Sequence, residues 1–187
     1  MLDLYLLDLQ PKLFKLFTIL DPGIHVSPLS LHRTLFYSII PFVFIVYTSN
    51  LWVPSIKCTD FTKSPACKVH KRYDSTKSST YADDSKDGGF TLPYGSGTVV
   101  GFLSKDNISV GSIPLAGTVF GEVTQEPGDA FTQGNFDGIL GLGFPGLDIT
   151  KGKSPPIFDL LMKAKALPKN QFAFSLDSTP GGNNSQI

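Results

Sequence analysis

The distribution of apolar and polar residues divides the chain into two unlike parts. Residues 1–48 are rich in Leu, Phe and Ile, and residues 35–47 form an almost unbroken apolar run around Pro41. Beyond that run, short apolar or alternating stretches are separated by turns that contain Gly and Pro, a pattern typical of β-strands. We therefore predict a mainly β domain over residues 49–178, preceded by an atypical segment and followed by a linker over residues 179–187.

Within the β domain the individual elements can be placed approximately. Runs rich in β-branched and aromatic residues predict strands at residues 98–103, 107–110, 115–123 and 172–176. Two prolines suit the first turn of a helix, and four apolar residues follow them at helical spacing: Ile157, Leu160, Leu161 and Ala164. We expect this helix to end at Leu167, before Pro168, and the whole domain to hold one or two short helices.

The N-terminal segment leaves three interpretations open. Residues 34–48 could form a membrane anchor or an uncleaved signal, but a spanning helix needs about 20 apolar residues and Pro41 opposes a helix there. No small-residue cleavage site follows the apolar run, as one would in a signal peptide. The segment could instead be a diverged first pair of strands. We favour the third interpretation, which is non-native sequence joined to the domain.

Composition excludes some classes of function. The formal net charge is zero and only 17% of the residues are charged, so no basic stripe is available for nucleic acid. The 18 glycines and 14 prolines suit a turn-rich β protein. His25, His32 and His70 show no metal-ligand spacing, and no Ser-His-Asp or Cys-His arrangement can be identified. We therefore expect neither a metal nor a cofactor.

Two short signals are ambiguous on their own. Cys58 and Cys67 enclose a loop of eight residues and are either a disulfide or two free thiols. The triplets that begin at Asn107 and Asn183 fit the N-glycosylation pattern, which also occurs often by chance. Neither signal decides the compartment without further support.

Three blocks of sequence carry the strongest functional signal: Ser49-Asn50-Leu51-Trp52-Val53-Pro54-Ser55, Tyr94-Gly95-Ser96-Gly97-Thr98 and Phe136-Asp137-Gly138-Ile139-Leu140-Gly141-Leu142-Gly143. In this order they resemble the N-terminal lobe of the pepsin-like aspartic proteases, peptidase family A1. The resemblance covers residues 49–178 and implies half of a bilobal β fold. It also implies a secreted or lysosomal endopeptidase made as a zymogen, and a disulfide between Cys58 and Cys67.

The resemblance implies roles for individual residues. Trp52 supports a mobile hairpin, the flap, by donating its indole N–H towards Tyr94. The other substrate-contacting positions are Gly95, Ser96 and Thr98 on the flap, and Phe131 and Ile139 in the pocket for the residue before the scissile bond. Asp137 is structural in the family, and the Gly-rich run behind it passes close beneath the active site. Pro93 removes one main-chain donor, so we expect the pairing of the flap strands to be altered there.

The catalytic residue of the family is missing from its expected place. Members carry Asp-Thr-Gly-Ser before the first block, whereas this chain has Ile45-Val46-Tyr47-Thr48. The chemistry needs two carboxylates that share one proton around a water molecule, and pepsin is the type case of such a pair. The loose matches Asp74-Ser75-Thr76 and Asp177-Ser178-Thr179 are not credible substitutes. We therefore expect no hydrolysis by this chain, which also ends before a C-terminal lobe could supply the second aspartate.

Three functions remain for comparison. The first is an incomplete piece of an aspartic endopeptidase that acts on peptide or protein substrates. The second is a non-catalytic protein that keeps the cleft and the flap and binds peptides without cutting them. The third is a membrane-tethered interaction protein anchored by residues 34–48. Replacement of the whole catalytic run, rather than of one aspartate, favours the first.

Overall fold

The fold is described from a computed structural model of the chain. The described residues are 48–174, except 96, 111–112 and 135, together with five short strand segments before residue 48. They contain eleven strands: β1 Ile19–Asp21, β2 Ile24–Val26, β3 Ser30–Leu31, β4 Ser38–Ile39, β5 Phe42–Ile45, β6 Leu51–Pro54, β7 Ala82–Asp83, β8 Gly89–Tyr94, β9 Gly97–Val110, β10 Ile113–Gln125 and β11 Gly138–Gly141. They also contain three short helices: α1 Ala66–Val69, α2 Asp129–Gln133 and α3 Ile157–Lys163. None of the helices in this part of the chain has the length and apolar character needed to span a membrane.

Nine of the described strands form one mixed sheet, which confirms the mainly β fold predicted from the sequence. The main order is β4-β3-β9-β10-β6-β11-β5, while β7 and β8 pair with other stretches of β9. Strands β1 and β2 form a separate antiparallel hairpin.

The long hairpin of β9 and β10 frames the sheet. A polar stretch suggested a break between two strands, but β9 runs without interruption over Gly97–Val110. The polar side chains are satisfied inside the fold instead of ending the strand. The Ser104 hydroxyl donates to Glu122 at 2.6 Å, and the Tyr73 hydroxyl donates to Asp106 at 2.5 Å.

Strand β6 lies at the centre of the fold. It runs parallel to β10 and antiparallel to β11, and β11 runs parallel to β5. Because side chains alternate between the two faces of a strand, Leu51 and Val53 enter one core cluster and Trp52 enters the other. The first cluster also holds Ile108, Phe120, Leu140 and Ile157; the second also holds Phe90, Val99, Phe131 and Ile139.

A glycine in β11 lets two chain segments cross closely. A Cβ atom on Gly141 would lie 2.4 Å from the carbonyl oxygen of Thr48, which is too close for any side chain. The Gly141 N–H donates to the Asn50 carbonyl at 3.0 Å, and the Gly143 N–H donates to the Thr48 carbonyl at 2.8 Å. The Gly-rich run of β11 is therefore bonded directly to residues 48–50.

The C-terminal part differs from the sequence prediction in two details. Helix α3 ends at Lys163 rather than near Leu167, because Lys165 adopts a φ of 52° in the left-handed region, where a right-handed helix cannot continue. Residues 172–174, predicted to begin a strand, pair with no strand in the described part of the chain. The ring of Phe172 contacts the rings of Phe158 and Phe174 instead.

Candidate functional site

A hairpin with a two-residue tip projects from the sheet beside β6. Strand β8 pairs with the start of β9 in unbroken register, ending with Tyr94 opposite Gly97. The expected disturbance at Pro93 does not occur, since Pro93 keeps its place opposite Thr98. The physical reason is the alternation of antiparallel pairs: the pair that closes a two-residue turn is hydrogen-bonded, and the next pair is not. The missing N–H of Pro93 therefore falls where the ladder with β9 needs no donor.

A hydrogen bond between two aromatic side chains holds this hairpin to the sheet. The indole N–H of Trp52 donates to the hydroxyl oxygen of Tyr94 at 2.9 Å. Trp52 is fully buried and Tyr94 is half-buried, so the bond joins the core to the end of strand β8. A buried indole N–H needs such a partner, and Tyr94 supplies it.

Phe131 and Ile139 lie next to this pair. The Phe131 ring meets Trp52 and Tyr94 edge-on, with centroid distances of 6.0 and 5.7 Å. Ile139 lies opposite Trp52 in the pairing of β11 with β6. The structure thus brings four of the predicted residues into one apolar cluster. Of the other flap positions, Gly95 and Thr98 are exposed and Ser96 lies outside the described residues.

Strand β5 lies beside β11, the strand that carries Ile139. Its last residue, Ile45, lies opposite Gly141 of β11. Thr48 and Ser49 follow and are buried, and their hydroxyl oxygens have no hydrogen-bond partner among the described residues. Two buried hydroxyls are thus left without a described acceptor or donor near the end of β5.

A second polar group is buried behind Phe131. His70 Nδ1 lies 3.2 Å from Asp137 Oδ1, and His70 Nε2 donates to the Phe131 carbonyl oxygen at 2.7 Å. The backbone N–H of Lys71 donates to the same Asp137 oxygen at 2.9 Å. The pKa of His70 is raised, chiefly by the hydrogen bond to Asp137; burial opposes the rise, while the Phe131 carbonyl and the nearby Glu126 add to it.

Glu126 belongs to the same group but has little support. Its side chain is fully buried, and Oε1 has no hydrogen-bond partner among the described residues. Oε2 lies 3.9 Å from Cys67 Sγ, but this sulfur is bonded to Cys58 and carries no hydrogen to donate. Burial raises the pKa of Glu126 to about 8; the nearby His70 opposes the rise and Asp137 adds to it.

Glu122, on β10, is a buried acid whose hydrogen bonds are satisfied, whereas Glu126 lies just beyond the end of that strand. Its Oε2 accepts from the Ser55 hydroxyl at 2.6 Å, and its Oε1 accepts from the Ser104 hydroxyl at 2.6 Å. Burial raises the pKa of Glu122, and the two serine hydrogen bonds oppose that rise. Of these two buried glutamates, Glu126 is therefore the unusual one, because its carboxyl group lacks such hydrogen bonds among the described residues.

The cysteine signal is resolved and the glycosylation signals are located in part. Cys58 and Cys67 form a disulfide, as the resemblance implied. Asn107 is half-buried on β9, and its side-chain oxygen accepts from the Gly117 N–H at 2.8 Å beside an irregularity in the β9–β10 register. Asn183 lies outside the described residues.

The mixed β sheet with a hairpin above an aromatic cluster defines a class of fold, and comparison with known sequences defines the family. A family model described as eukaryotic aspartyl protease matches residues 43–187. Cathepsin D of Gallus gallus is 41% identical over 138 residues, covering 74% of this chain and 33% of the relative. Cathepsin D of Rattus norvegicus is 44% identical over 146 residues, covering 75% and 34%. Cathepsin E of Cavia porcellus is 39% identical over 145 residues, covering 78% and 35%.

The chain therefore belongs to the eukaryotic aspartyl protease family. It spans about a third of the length of the curated relatives that it matches. The family match begins inside β5, so that this strand is part of the matched region and β1 to β4 precede it.

Sequence reasoning missed the buried group around His70. The position of His70 in the sequence indicated neither a metal site nor a catalytic arrangement, and its partners Asp137 and Glu126 lie on distant segments that only the fold brings together. A glutamate directly before a Pro-Gly turn is expected on the surface, so Glu126 gave no signal of burial.

Proposed function

We propose that this chain is the flap-bearing lobe of a pepsin-type aspartic endopeptidase that acts on peptide or protein substrates. The 2.9 Å hydrogen bond from Trp52 to Tyr94 carries the proposal, because it holds the hairpin beside the cluster of Phe131 and Ile139. An extended peptide under the hairpin would gain main-chain hydrogen bonds in the manner of an added strand. Its side chains would then meet Phe131 and Ile139, while the flap residues Gly95, Ser96 and Thr98 cover it.

The proposal includes a lack of hydrolysis by this chain. Ile45 stands where the family has its first aspartate, and a hydrocarbon side chain can neither take a proton from water nor give one to a carbonyl. The hydroxyls of Thr48 and Ser49 support this assignment: they have no partner among the described residues, and a carboxylate at that point would offer them an acceptor. The second aspartate would come from the C-terminal lobe of the full-length family member, which we propose as the partner of this lobe.

Restoring the motif tests both statements. The variant carries Ile45→Asp, Val46→Thr, Tyr47→Gly and Thr48→Ser, and it is mixed with the separately produced C-terminal lobe of rat cathepsin D. At acid pH we expect pepstatin-sensitive cleavage of a denatured protein by this mixture alone. The matched control has Ile45→Asn with the same three other changes and should stay inactive. Turnover by the unaltered chain would contradict the proposed inactivity. Failure of a folded restored mixture would contradict the lobe assignment.

A non-catalytic peptide-binding role is the second candidate. The contact of Trp52 with Tyr94 favours it, because neither this bond nor the cluster with Phe131 depends on a catalytic carboxylate. The unaltered chain should then bind an immobilised apolar peptide, and Tyr94→Ala or Phe131→Ala should weaken binding at least about tenfold. Equal binding by both variants and the unaltered chain would rule this role out.

We propose a secretory route that ends outside the cell or in a lysosome. The disulfide between Cys58 and Cys67 supports this route, since stable disulfides form in oxidising compartments. Asn107 and Asn183 are the candidate glycosylation sites. A glycosidase should lower the mass of the protein made in secretory cells, and Asn107→Gln and Asn183→Gln should each remove part of that change. An unchanged mass would exclude glycosylation at both sites.

We also propose that residues 1–48 are non-native sequence joined to the lobe. The pairing of β5 with β11 agrees instead with a diverged first pair of strands, so the two interpretations need a direct test. The test is the transcript sequence across the codons for residues 41–52. Codons for Asp-Thr-Gly-Ser before Ser49 would support the proposal. Codons for Ile45-Val46-Tyr47-Thr48 in mature message would contradict it.

A further inference from the structure

We propose that His70, Asp137 and Glu126 form a proton-sensitive support that sets the positions of Phe131 and of the flap. These three side chains are called the acid–histidine group below. The inference rests on the proposed role of Phe131 and the flap in binding peptide, but its test uses no peptide.

The first connection runs from the group to Phe131. His70 ends helix α1, and its Nε2–H donates to the backbone carbonyl oxygen of Phe131 at 2.7 Å. Phe131 lies in the five-residue helix α2, which has no side-chain hydrogen bond capping its N-terminus. The His70 ring also stacks on Phe136 at 6.3 Å between centroids. Ring contacts with Trp52 and Tyr94 hold the side chain of Phe131, and the bond from His70 additionally holds its backbone carbonyl.

The second connection runs from the group to the flap. Pro127 follows Glu126 directly, and its carbonyl oxygen lies 2.6 Å from where a Cβ atom on Gly97 would be. Gly97 begins β9 opposite Tyr94, and its φ of 151° lies in the region that favours glycine. On the other side, the Glu126 N–H donates to the Ser64 hydroxyl at 2.9 Å. A shift of the backbone at Glu126 would therefore press on the tip of the flap at Gly97, through Pro127.

The chemistry of His70 makes the support sensitive to protons. Both ring nitrogens face atoms that can only accept: the Phe131 carbonyl oxygen and the Asp137 carboxylate. A neutral imidazole has one N–H and can serve only one of them, whereas the imidazolium serves both. Loss of the proton therefore breaks either the bond to Phe131 or the bond to Asp137.

The ionisation of Glu126 also changes the net charge of the acid–histidine group. With His70 protonated, Asp137 ionised and Glu126 neutral, the buried group has no net charge. Loss of both protons leaves two buried carboxylates and no cation, which is costly in a poorly hydrated interior. Glu126 Oε1 and Asp137 Oδ2 would then both be charged oxygens without a described hydrogen-bond donor. The group therefore favours the compact arrangement in acid and resists it as the pH rises.

No other described ionisable group strongly influences the protonation of His70 and Glu126. The charged groups that influence the pKa of Glu126 are His70 and Asp137, and those that influence the pKa of His70 are Asp137 and Glu126. The Lys71 backbone contributes a donor to Asp137. No cluster in the described part of the chain has the arrangement of a metal site.

The sole tryptophan of the chain provides the measurement. Trp52 donates to Tyr94 and contacts the Phe131 ring, so its emission reports on both proposed targets. Emission and far-UV circular dichroism are recorded together between about pH 5 and about pH 9. The variant is Glu126→Gln, which keeps the shape and removes the ionisation. The control is Glu122→Gln. Glu122 is also a buried acid close by in the sequence, but its carboxylate oxygens accept hydrogen bonds from Ser55 and Ser104.

We expect a step in Trp52 emission with a midpoint near the Glu126 pKa of about 8, while the strand signal in circular dichroism is unchanged. Glu126→Gln should remove the step near pH 8 and leave only the transition of His70, at lower pH because Glu126 helps to raise the His70 pKa. Glu122→Gln should keep the step near pH 8. Flat emission in the unaltered chain would overturn the proposal, and so would an identical step in Glu126→Gln. A step that coincides with loss of the strand signal would also overturn it, because the group would then act on global unfolding only. Absence of peptide binding would contradict the proposed function and leave this result unaffected.

Discussion

At the scale of single residues, the fold depends on whether each buried polar atom finds a partner. Trp52 finds Tyr94, Glu122 finds two serines, and Asp106 accepts from the Tyr73 hydroxyl. Such bonds are individually modest, but leaving one buried group without its partner is expensive. Among the described residues, Glu126 Oε1 is one of four buried polar atoms without a hydrogen-bond partner, with Asp137 Oδ2 and the hydroxyls of Thr48 and Ser49. A neutral, protonated carboxyl is how a protein tolerates an acid in that setting.

The first prediction concerns the Trp52–Tyr94 bond. Tyr94→Phe removes the acceptor and leaves a fully buried indole N–H unpaired, which should cost about 1–3 kcal/mol of unfolding free energy. The measurement is the urea midpoint, with Tyr81→Phe as control because the Tyr81 hydroxyl takes part in none of the described hydrogen bonds. Trp52→Phe should lower the free energy of unfolding less when Tyr94 is already Phe than it does in the unaltered chain. Equal costs in the two backgrounds would show that the bond contributes nothing.

At the scale of elements, the sequence predicts what local pattern determines and misses what distant contacts determine. The strand predicted over residues 115–123 lies within β10, and the helix predicted after the two prolines begins at Ile157; both follow from periodicity and turn residues. The apparent break in β9 was wrong because Asp106 is satisfied by a tyrosine from another segment. Helices α1 and α2 gave no periodic signal, since four or five residues are too few for one.

The second prediction tests the close packing of β9 on β10. A Cβ atom on Gly101 would lie 1.9 Å from the Glu122 carbonyl oxygen, so Gly101→Ala must push the two strands apart. We expect a loss of more than about 3 kcal/mol or a failure to fold. Gly146→Ala is the matched control, because nothing lies within 4 Å of the new Cβ atom there. The prediction fails if urea unfolds both variants at the same concentration.

The third prediction concerns the disulfide between Cys58 and Cys67. The bridge joins residues separated by 9 positions, and closing a loop of that size stabilises a fold by roughly 2–3 kcal/mol through the entropy of the unfolded chain. The double variant Cys58→Ser, Cys67→Ser should lower the urea midpoint accordingly. A reducing agent should lower the midpoint of the unaltered chain by a similar amount and leave the variant unchanged. If neither the double substitution nor the reducing agent changes the urea midpoint, the loop is held by its other contacts.

At the scale of the whole molecule, the mainly β fold and its aromatic cluster were predictable from the sequence, while the buried electrostatics were not. Trp52, Tyr94, Phe131 and Ile139 come from separate stretches of the chain. The family resemblance assigned all four to one site, and the structure packs them into one apolar cluster. Their predictability comes from long ordered motifs that match a family. The acid–histidine group has no such motif, because its charges matter only once the chain has buried them.

The last prediction follows from this buried charge. Folding raises the pKa of Glu126 from its ordinary 4.5 to about 8 and raises the pKa of His70 above its ordinary 6.5. The folded chain then binds more protons than the unfolded chain in this range, so the free energy of unfolding must fall as the pH rises from about 4.5 to about 8. Urea midpoints should accordingly decline across this range, and Glu126→Gln should flatten the decline while raising stability at its alkaline end. Asp148 works in the opposite sense at lower pH: burial opposes the change, but hydrogen bonds from Thr150, Asn50 and Gly152 lower its pKa, so its contribution is lost in strong acid. A midpoint that rises with pH, or an equal slope in Glu126→Gln, would contradict the assignment of the proton to Glu126.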